Sequence, residues 1–213
     1  MVTWSNIAGA PARLVACANG DCRMANGSRE TNKVASMTLP IHDMAERHRG
    51  LTVAVAESYT EAARVCLDRH HESPVGFKIT NSDRVTDAVA EWKKTDERTR
   101  GAWANEIDAT EAGACACALA AVELSDGLVA VHRAETKTGA DYYIAPPGRT
   151  LEDLEDCLRL EVSGVDRGGP SVINQRLRQK REQTVSGASN LPAMASVVGF
   201  RARVIQLSRV DES

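Results

Sequence analysis

The chain has 213 residues, with 26 Lys and Arg against 29 Asp and Glu and a formal net charge of −3. That length predicts one or two domains, and 43% hydrophobic with 26% charged residues is the balance of an ordinary globular protein. No uninterrupted apolar run approaches the roughly 20 residues that a membrane-spanning helix needs, which excludes that class.

Residues 1–36 are rich in Ala, Gly, Asn and Ser without helical or strand periodicity. They read either as a flexible arm or as an extension preceding a true start at Met37 or Met44. Residues 37–100 predict a helical extension that packs on a core formed by residues 101–213. Within the extension, Val55, Tyr59, Ala62, Ala63 and Cys66 recur at helical spacing, so Thr52 to His70 predicts an amphipathic helix that Pro74 bars from continuing. Val75 to Ile79 predicts a short strand, Asn81-Ser82-Asp83 a turn, and Arg84 to Arg100 a second, weaker helix around Val85, Val89 and Trp92.

Residues 101–213 carry the stronger pattern. An Ala-rich helix over Trp103 to Leu124 is followed by strands at Leu128 to Ala134, Asp141 to Ile144 and Cys157 to Val165, with a brief helical or turn linker at Leu151 to Asp156. Asp166 to Ser171 is a Gly/Pro loop, and Val172 to Val185 a polar-faced helix. Ala195 to Leu207 closes the chain as one strand, or as two if Gly199 or Arg201 breaks it. The predicted order is helix, three strands, helix, strand.

With three Trp, three Tyr and two Phe, the core must be built mainly from Ala, Val, Leu and Ile, and aromatic platforms for single-stranded nucleic acid are not expected. The six cysteines predict reduced thiols in the cytoplasm. The chain is long enough to bury a core without staples, Cys115 and Cys117 fall inside the Ala-rich helix, and no apolar leader precedes the fold. Cys17 and Cys22 lack a second Cys/His pair nearby, so a zinc knuckle is not expected. No nucleophile elbow, Walker loop, His-Glu-x-x-His or dinucleotide fingerprint is present. His70, His71 and His132 read as structural.

One constellation carries chemistry. Alternation on the third strand puts Leu158, Leu160 and Val162 on one face and Arg159, Glu161 and Ser163 on the other. An adjacent strand beginning at Asp141 can bring its carboxylate beside Glu161. Two neighbouring carboxylates repel, and a divalent cation is the usual reason to hold them together. The alternatives are a strand cap for Asp141 and a solvated edge for Glu161. On the Ala-rich helix, Glu111 falls on the stripe of Ile107, Ala114, Ala118 and Val122, where it needs a cation, a basic partner such as an Arg of the last helix, or a proton. On the last helix, Arg176, Lys180 and Gln183 form a polar stripe that either aims Lys180 at the carboxylates or is a solvated basic face.

This arrangement resembles the restriction-endonuclease-like PD-(D/E)xK nuclease superfamily over about residues 101–207, through Gly139-Ala140-Asp141 and Glu161-Val162-Ser163 and through the element order. The resemblance implies an α/β restriction-endonuclease-like core in which Asp141 and Glu161 bind Mg²⁺ or Mn²⁺, with Glu111 assisting from the first helix. The Asp lacks its preceding Pro, and Ser163 stands where the family carries Lys. Some members have that Lys on the following helix, where this chain has Lys180. The implied activity is metal-dependent hydrolysis of phosphodiester bonds in nucleic acid, DNA before RNA, in mobile-element or phage defence. The alternative is a catalytically inactive, nuclease-like subunit that binds a protein partner. Charge supports a modest nucleic-acid contact: residues 101–158 hold eleven acidic and three basic side chains, residues 159–213 five acidic and nine basic.

Overall fold

The computed structural model describes residues 37–149, 157–187 and 189–210. The arm over 1–36, the linker over 151–156 and the Cys17/Cys22 pair lie outside the described residues. Among the described residues, eight strands and five helices succeed one another as β1 (Met37–Thr38), α1 (Met44–Arg47), α2 (Val53–Asp68), β2 (Val75–Asn81), β3 (Arg84–Ala90), α3 (Glu97–Ala102), α4 (Glu106–Asp126), β4 (Val129–Arg133), β5 (Tyr142–Ala145), β6 (Leu158–Val165), α5 (Pro170–Val185), β7 (Ala193–Gly199) and β8 (Val204–Val210).

These strands join one mixed sheet in the order β1-β3-β2-β8-β7-β6-β5-β4. The segment β4-β5-β6 is an antiparallel meander, α5 crosses over so that β7 lies parallel to β6, and β8 returns antiparallel to β7. A parallel neighbour needs such a crossover, and the 16-residue α5 supplies it. Helices α2 and α4 stack on one face of the sheet, and α5 covers β6, β7 and β8 on the other. The fold is therefore α/β, and no described helix is long and apolar enough to cross a membrane.

Local chemistry sets the ends of these elements. The Thr52 hydroxyl caps α2 by accepting from Val55 N, and the Asn105 side chain caps α4 by accepting from Ile107 N and Asp108 N. Helix α4 stops at Gly127, whose φ of 67° suits the left-handed C-terminal turn. Pro170 opens α5 in the first turn, where its missing N–H costs nothing.

Two expectations are corrected. Residues 37–100 are not a helical extension packed on a separate core: beside the expected strand at Val75 they contribute two more, and β2 pairs in parallel with β8, so they continue the sheet. Arg84 to Arg100 is not one helix. It divides into β3 and the short α3, because the tight turn at Ser82-Asp83 folds Val85 and Val89 back onto β2, where a strand pairing outweighs a weak helical pattern. The last strand breaks into β7 and β8 just past Gly199.

Helix α4 is sandwiched between α2 and the sheet, and its residues from Gly113 to Val122 are buried on every side. Small side chains permit this. A Cβ on Gly113 would sit 2.9 Å from the Ala63 backbone, and the buried thiols of Cys66, Cys115 and Cys117 fill the same seam as free cysteines. Cys157 is likewise buried.

His48 pins the edge of the sheet. It is fully buried, its Nδ1 accepts from Ala130 N at 3.0 Å, and Nε2 therefore carries the proton and donates to Glu123 at 3.1 Å. Burial holds its pKa below the ordinary 6.5 against the opposing pull of Glu123. The unfolded chain then takes up a proton that the folded chain refuses, so stability falls as pH drops below about 6.5. Urea unfolding at about pH 7.5 and about pH 5.5 should show this loss in the wild type, and His48→Gln should remove its His48 share.

Candidate active site

Strand pairing brings the two carboxylates together. Tyr142 pairs with Leu160, and Asp141, one step back, faces Glu161 one step on. Asp141 N donates to Leu160 O at 2.8 Å, and its carboxylate turns across the pair to accept from Val162 N at 2.9 Å through Oδ2. The capping reading of Asp141 and the cation-site reading are thus compatible.

Glu161 is buried, with only 4% of its surface exposed, which removes the solvated-edge alternative. The strand alternation that predicts its face holds: Leu160 and Val162 enter the main core under α4, whereas Val165 packs with Ile173 of α5. Lys180 reaches down from α5 and donates to Glu161 Oε1 at 2.6 Å and to Gln183 Oε1 at 3.1 Å. Burial pushes the Glu161 pKa up, the Asp141 charge adds to that, and Lys180 opposes both. Ser163, on the same face of β6, is also buried.

Glu111 departs from expectation. It is exposed, as is Ile107 at 69%. The buried face of the first turns of α4 runs through Ala109, Thr110 and Gly113, roughly 100° or more around the helix from Glu111. A one-stripe wheel fails here because the helix is packed on two sides. Among the described residues no group of three His, Cys, Asp or Glu side chains is placed to hold an ion. Asp141 and Glu161 form a pair, without Glu111 as a third ligand.

Two arginines flank the pair, Arg133, which sequence patterning passes over, and Arg159, which it places on the Glu161 face without a role. Arg133, the last residue of β4, donates to Asp141 Oδ1 at 3.2 Å and to the Tyr59 hydroxyl at 3.0 Å, with its guanidinium carbon 4.7 Å from the centre of the Tyr142 ring. Arg159 is 3% exposed and donates to the carbonyls of Leu191, Thr138 and Thr184. The signal available in the sequence is hairpin symmetry: a basic residue ending β4 lies across from the residues that start β5.

The site opens into a polar cleft of about 610 Å³ lined by Arg133, Lys137, Asp141, Glu161, Gln183 and Ser186, among others. Its floor needs small residues. Gly139 has φ of 69° and would carry a Cβ 2.8 Å from Gln183 O, and a Cβ on Gly187 would overlap Thr138 O. His70 donates to Asp166 in the loop after β6, and His71 donates to Phe200 O in the turn after β7, so both tie the end of α2 to the sheet's loops.

The donor set suits a hard divalent cation. Mg²⁺ is commonly held by one or two carboxylates, with waters and substrate oxygens completing the shell, and Asp141 and Glu161 offer carboxylates across one strand pair beside an open cleft. No family model matches the chain, and no curated protein or solved structure does.

Proposed function

We propose that the protein is a metal-dependent nuclease that hydrolyses phosphodiester bonds of nucleic acid. The observation that carries this reading is that Asp141, just before β5, and Glu161, on β6, line one open cleft, and that Lys180 of the crossover helix is bonded to Glu161. The element order α4, β4, β5, β6, α5, β7 also agrees with the restriction-endonuclease-like core. Asp141 and Glu161 would hold Mg²⁺ or Mn²⁺. When bound, such a cation polarises a phosphate oxygen and lowers the pKa of a water.

The chain's own residues do the rest. Arg133 on Asp141 and Lys180 on Glu161 hold the two carboxylates side by side, and an entering cation competes with them for the carboxylate oxygens. Lys180, bonded to Glu161 and Gln183, which both line the cleft, orients the attacking water and offsets charge growing on the phosphate. Hydrolysis adds water across one P–O bond, leaving a phosphate monoester and a hydroxyl. The Lys absent from the Ser163 position is replaced by one that arrives from above, so the loss of the strand Lys does not by itself favour an inactive subunit.

The test is cleavage of plasmid and oligonucleotide DNA, and of RNA, with Mg²⁺ or Mn²⁺. Asp141→Ala and Glu161→Ala should each remove cleavage, and calorimetric Mn²⁺ binding should be lost in Asp141→Ala. Cleavage surviving both substitutions ends the reading. Binding should also strengthen as pH rises above 4.5, because a Glu161 with a raised pKa must lose its proton to take a cation.

A further inference from the structure

We propose that Arg133 is a catalytic residue of this cleft, which donates to a non-bridging oxygen of the phosphodiester at Asp141 and Glu161, and that Tyr59 and Tyr142 position it. The inference rests on the nuclease reading and deepens it.

Arg133 is held more firmly than a surface ion pair requires. Its guanidinium lies over the Tyr142 ring, one terminal nitrogen donates to Tyr59, and the other donates to Asp141. The two tyrosines are themselves tied by a 2.7 Å hydroxyl–hydroxyl hydrogen bond and meet edge to face, with ring centres 6.5 Å apart. Tyr142 is 1% exposed, and burial raises the pKa of both phenols, so they remain neutral hydrogen-bonding anchors. The assembly links α2, β4 and β5, which places it on rigid elements.

The side chain nevertheless stays 53% exposed and lines the cleft. A partly exposed arginine–carboxylate pair contributes little stability, about 0–1 kcal/mol, so stability alone does not account for the buried Tyr142 and the half-buried Tyr59 behind it. A planar guanidinium with five N–H donors, two of them committed to Tyr59 and Asp141, matches the paired oxygens of a phosphate. Fixed in advance, it offers charge to the transition state without reorganising. Arg133 meets Asp141 from the β4 side and lines the cleft, whereas Lys180 meets Glu161 from the α5 side, so the two carboxylates carry one cation each.

The experiment compares wild type, Arg133→Ala, Arg133→Lys, Arg133→Gln and Tyr59→Phe as full chains in three measurements. These are kcat and KM on a short duplex oligonucleotide, duplex binding in EDTA by anisotropy, and Mn²⁺ binding by calorimetry. Arg133→Ala should lower kcat about a hundredfold, the usual cost of one transition-state donor. Duplex affinity should fall less, and Mn²⁺ affinity should hold or rise because a competing cation has left Asp141. Arg133→Lys should recover duplex affinity but little of kcat, since a point charge lacks the fork. Tyr59→Phe should lower kcat with KM unmoved.

A merely structural Arg133 would instead lose Mn²⁺ binding and thermal stability together, and Arg133→Gln, which keeps a donor for Tyr59, would then restore activity. That result overturns the inference, as does Arg133→Ala with kcat within about threefold of wild type while Asp141→Ala is inactive, which leaves the nuclease reading standing. A wild type that cleaves nothing with either cation ends both.

Discussion

Replacing Lys180 by Ala should abolish cleavage while Mn²⁺ binding persists. The ammonium sits 2.6 Å from Glu161 Oε1, but it is not a metal ligand, and its removal takes positive charge away from the carboxylates. Calorimetry should therefore show Mn²⁺ affinity equal to or above that of the wild type. The substitution also strands a carboxylate whose side chain is 5% exposed. Breaking a buried pair from one side costs about 3–5 kcal/mol, so the variant should be markedly less stable at neutral pH.

The sign of the pH dependence identifies the cause. Glu161 already has a raised pKa from burial and from the Asp141 charge, and without Lys180 it rises further. A carboxylate whose folded pKa lies above its unfolded one is penalised once pH exceeds the unfolded value, and the penalty fades as pH falls through the folded value. The Lys180→Ala deficit should thus be large at about pH 8 and small at about pH 5, and Glu161→Gln added to it should recover stability at the higher pH. Lys180→Arg should restore part of the activity, because a planar guanidinium cannot copy a compact ammonium. A Lys180→Ala protein that cleaves normally would remove the relocated lysine from the mechanism even if the enzyme proves a nuclease.

The parts of this site that are legible in the sequence are those governed by short-range periodicity. The period-two pattern on Arg159 to Ser163 fixes which side chains face α5, and the helical spacing of Ile173, Leu177 and Thr184 fixes which side of α5 meets the sheet, which leaves Lys180 beside Glu161. The juxtaposition of Asp141 and Glu161 needs only that consecutive strands pair. What escapes is set by tertiary context. The position of Glu111 is hidden because burial of α4 on two sides erases the phase that one stripe supplies, and β3 reads as helix because its pattern is weak until β2 gives it a partner. Arg133 and Tyr59 are 74 residues apart, and no local pattern announces their contact.

Arg159 shows how such long-range contacts hold the cleft, and its replacement should produce a large loss of stability. Its buried guanidinium donates to Thr138 O at 2.6 Å, Leu191 O at 2.9 Å and Thr184 O at 3.2 Å. Thr138 lies three residues before Asp141, Thr184 four residues after Lys180, and Leu191 two residues before β7, so one side chain ties together the segments that carry the site. Arg159→Met would fill much of the volume but leave those carbonyls without a donor. Hydrogen bonds to a charged group contribute about 1.5–3 kcal/mol each and do not add fully, so the loss should be on the order of 4 kcal/mol. Against a total of about 5–15 kcal/mol, such a protein would be marginal. Arg159→Lys should lose less, since an ammonium can serve one or two of the three carbonyls without the fork. At a temperature where both variants remain folded, cleavage should fall with the slackening of Asp141 and Lys180 while their chemistry is unchanged, which appears as a lower kcat with an unaltered pH profile. Urea unfolding that shifts by less than about 1 kcal/mol in Arg159→Met would show that the three segments are held by other contacts.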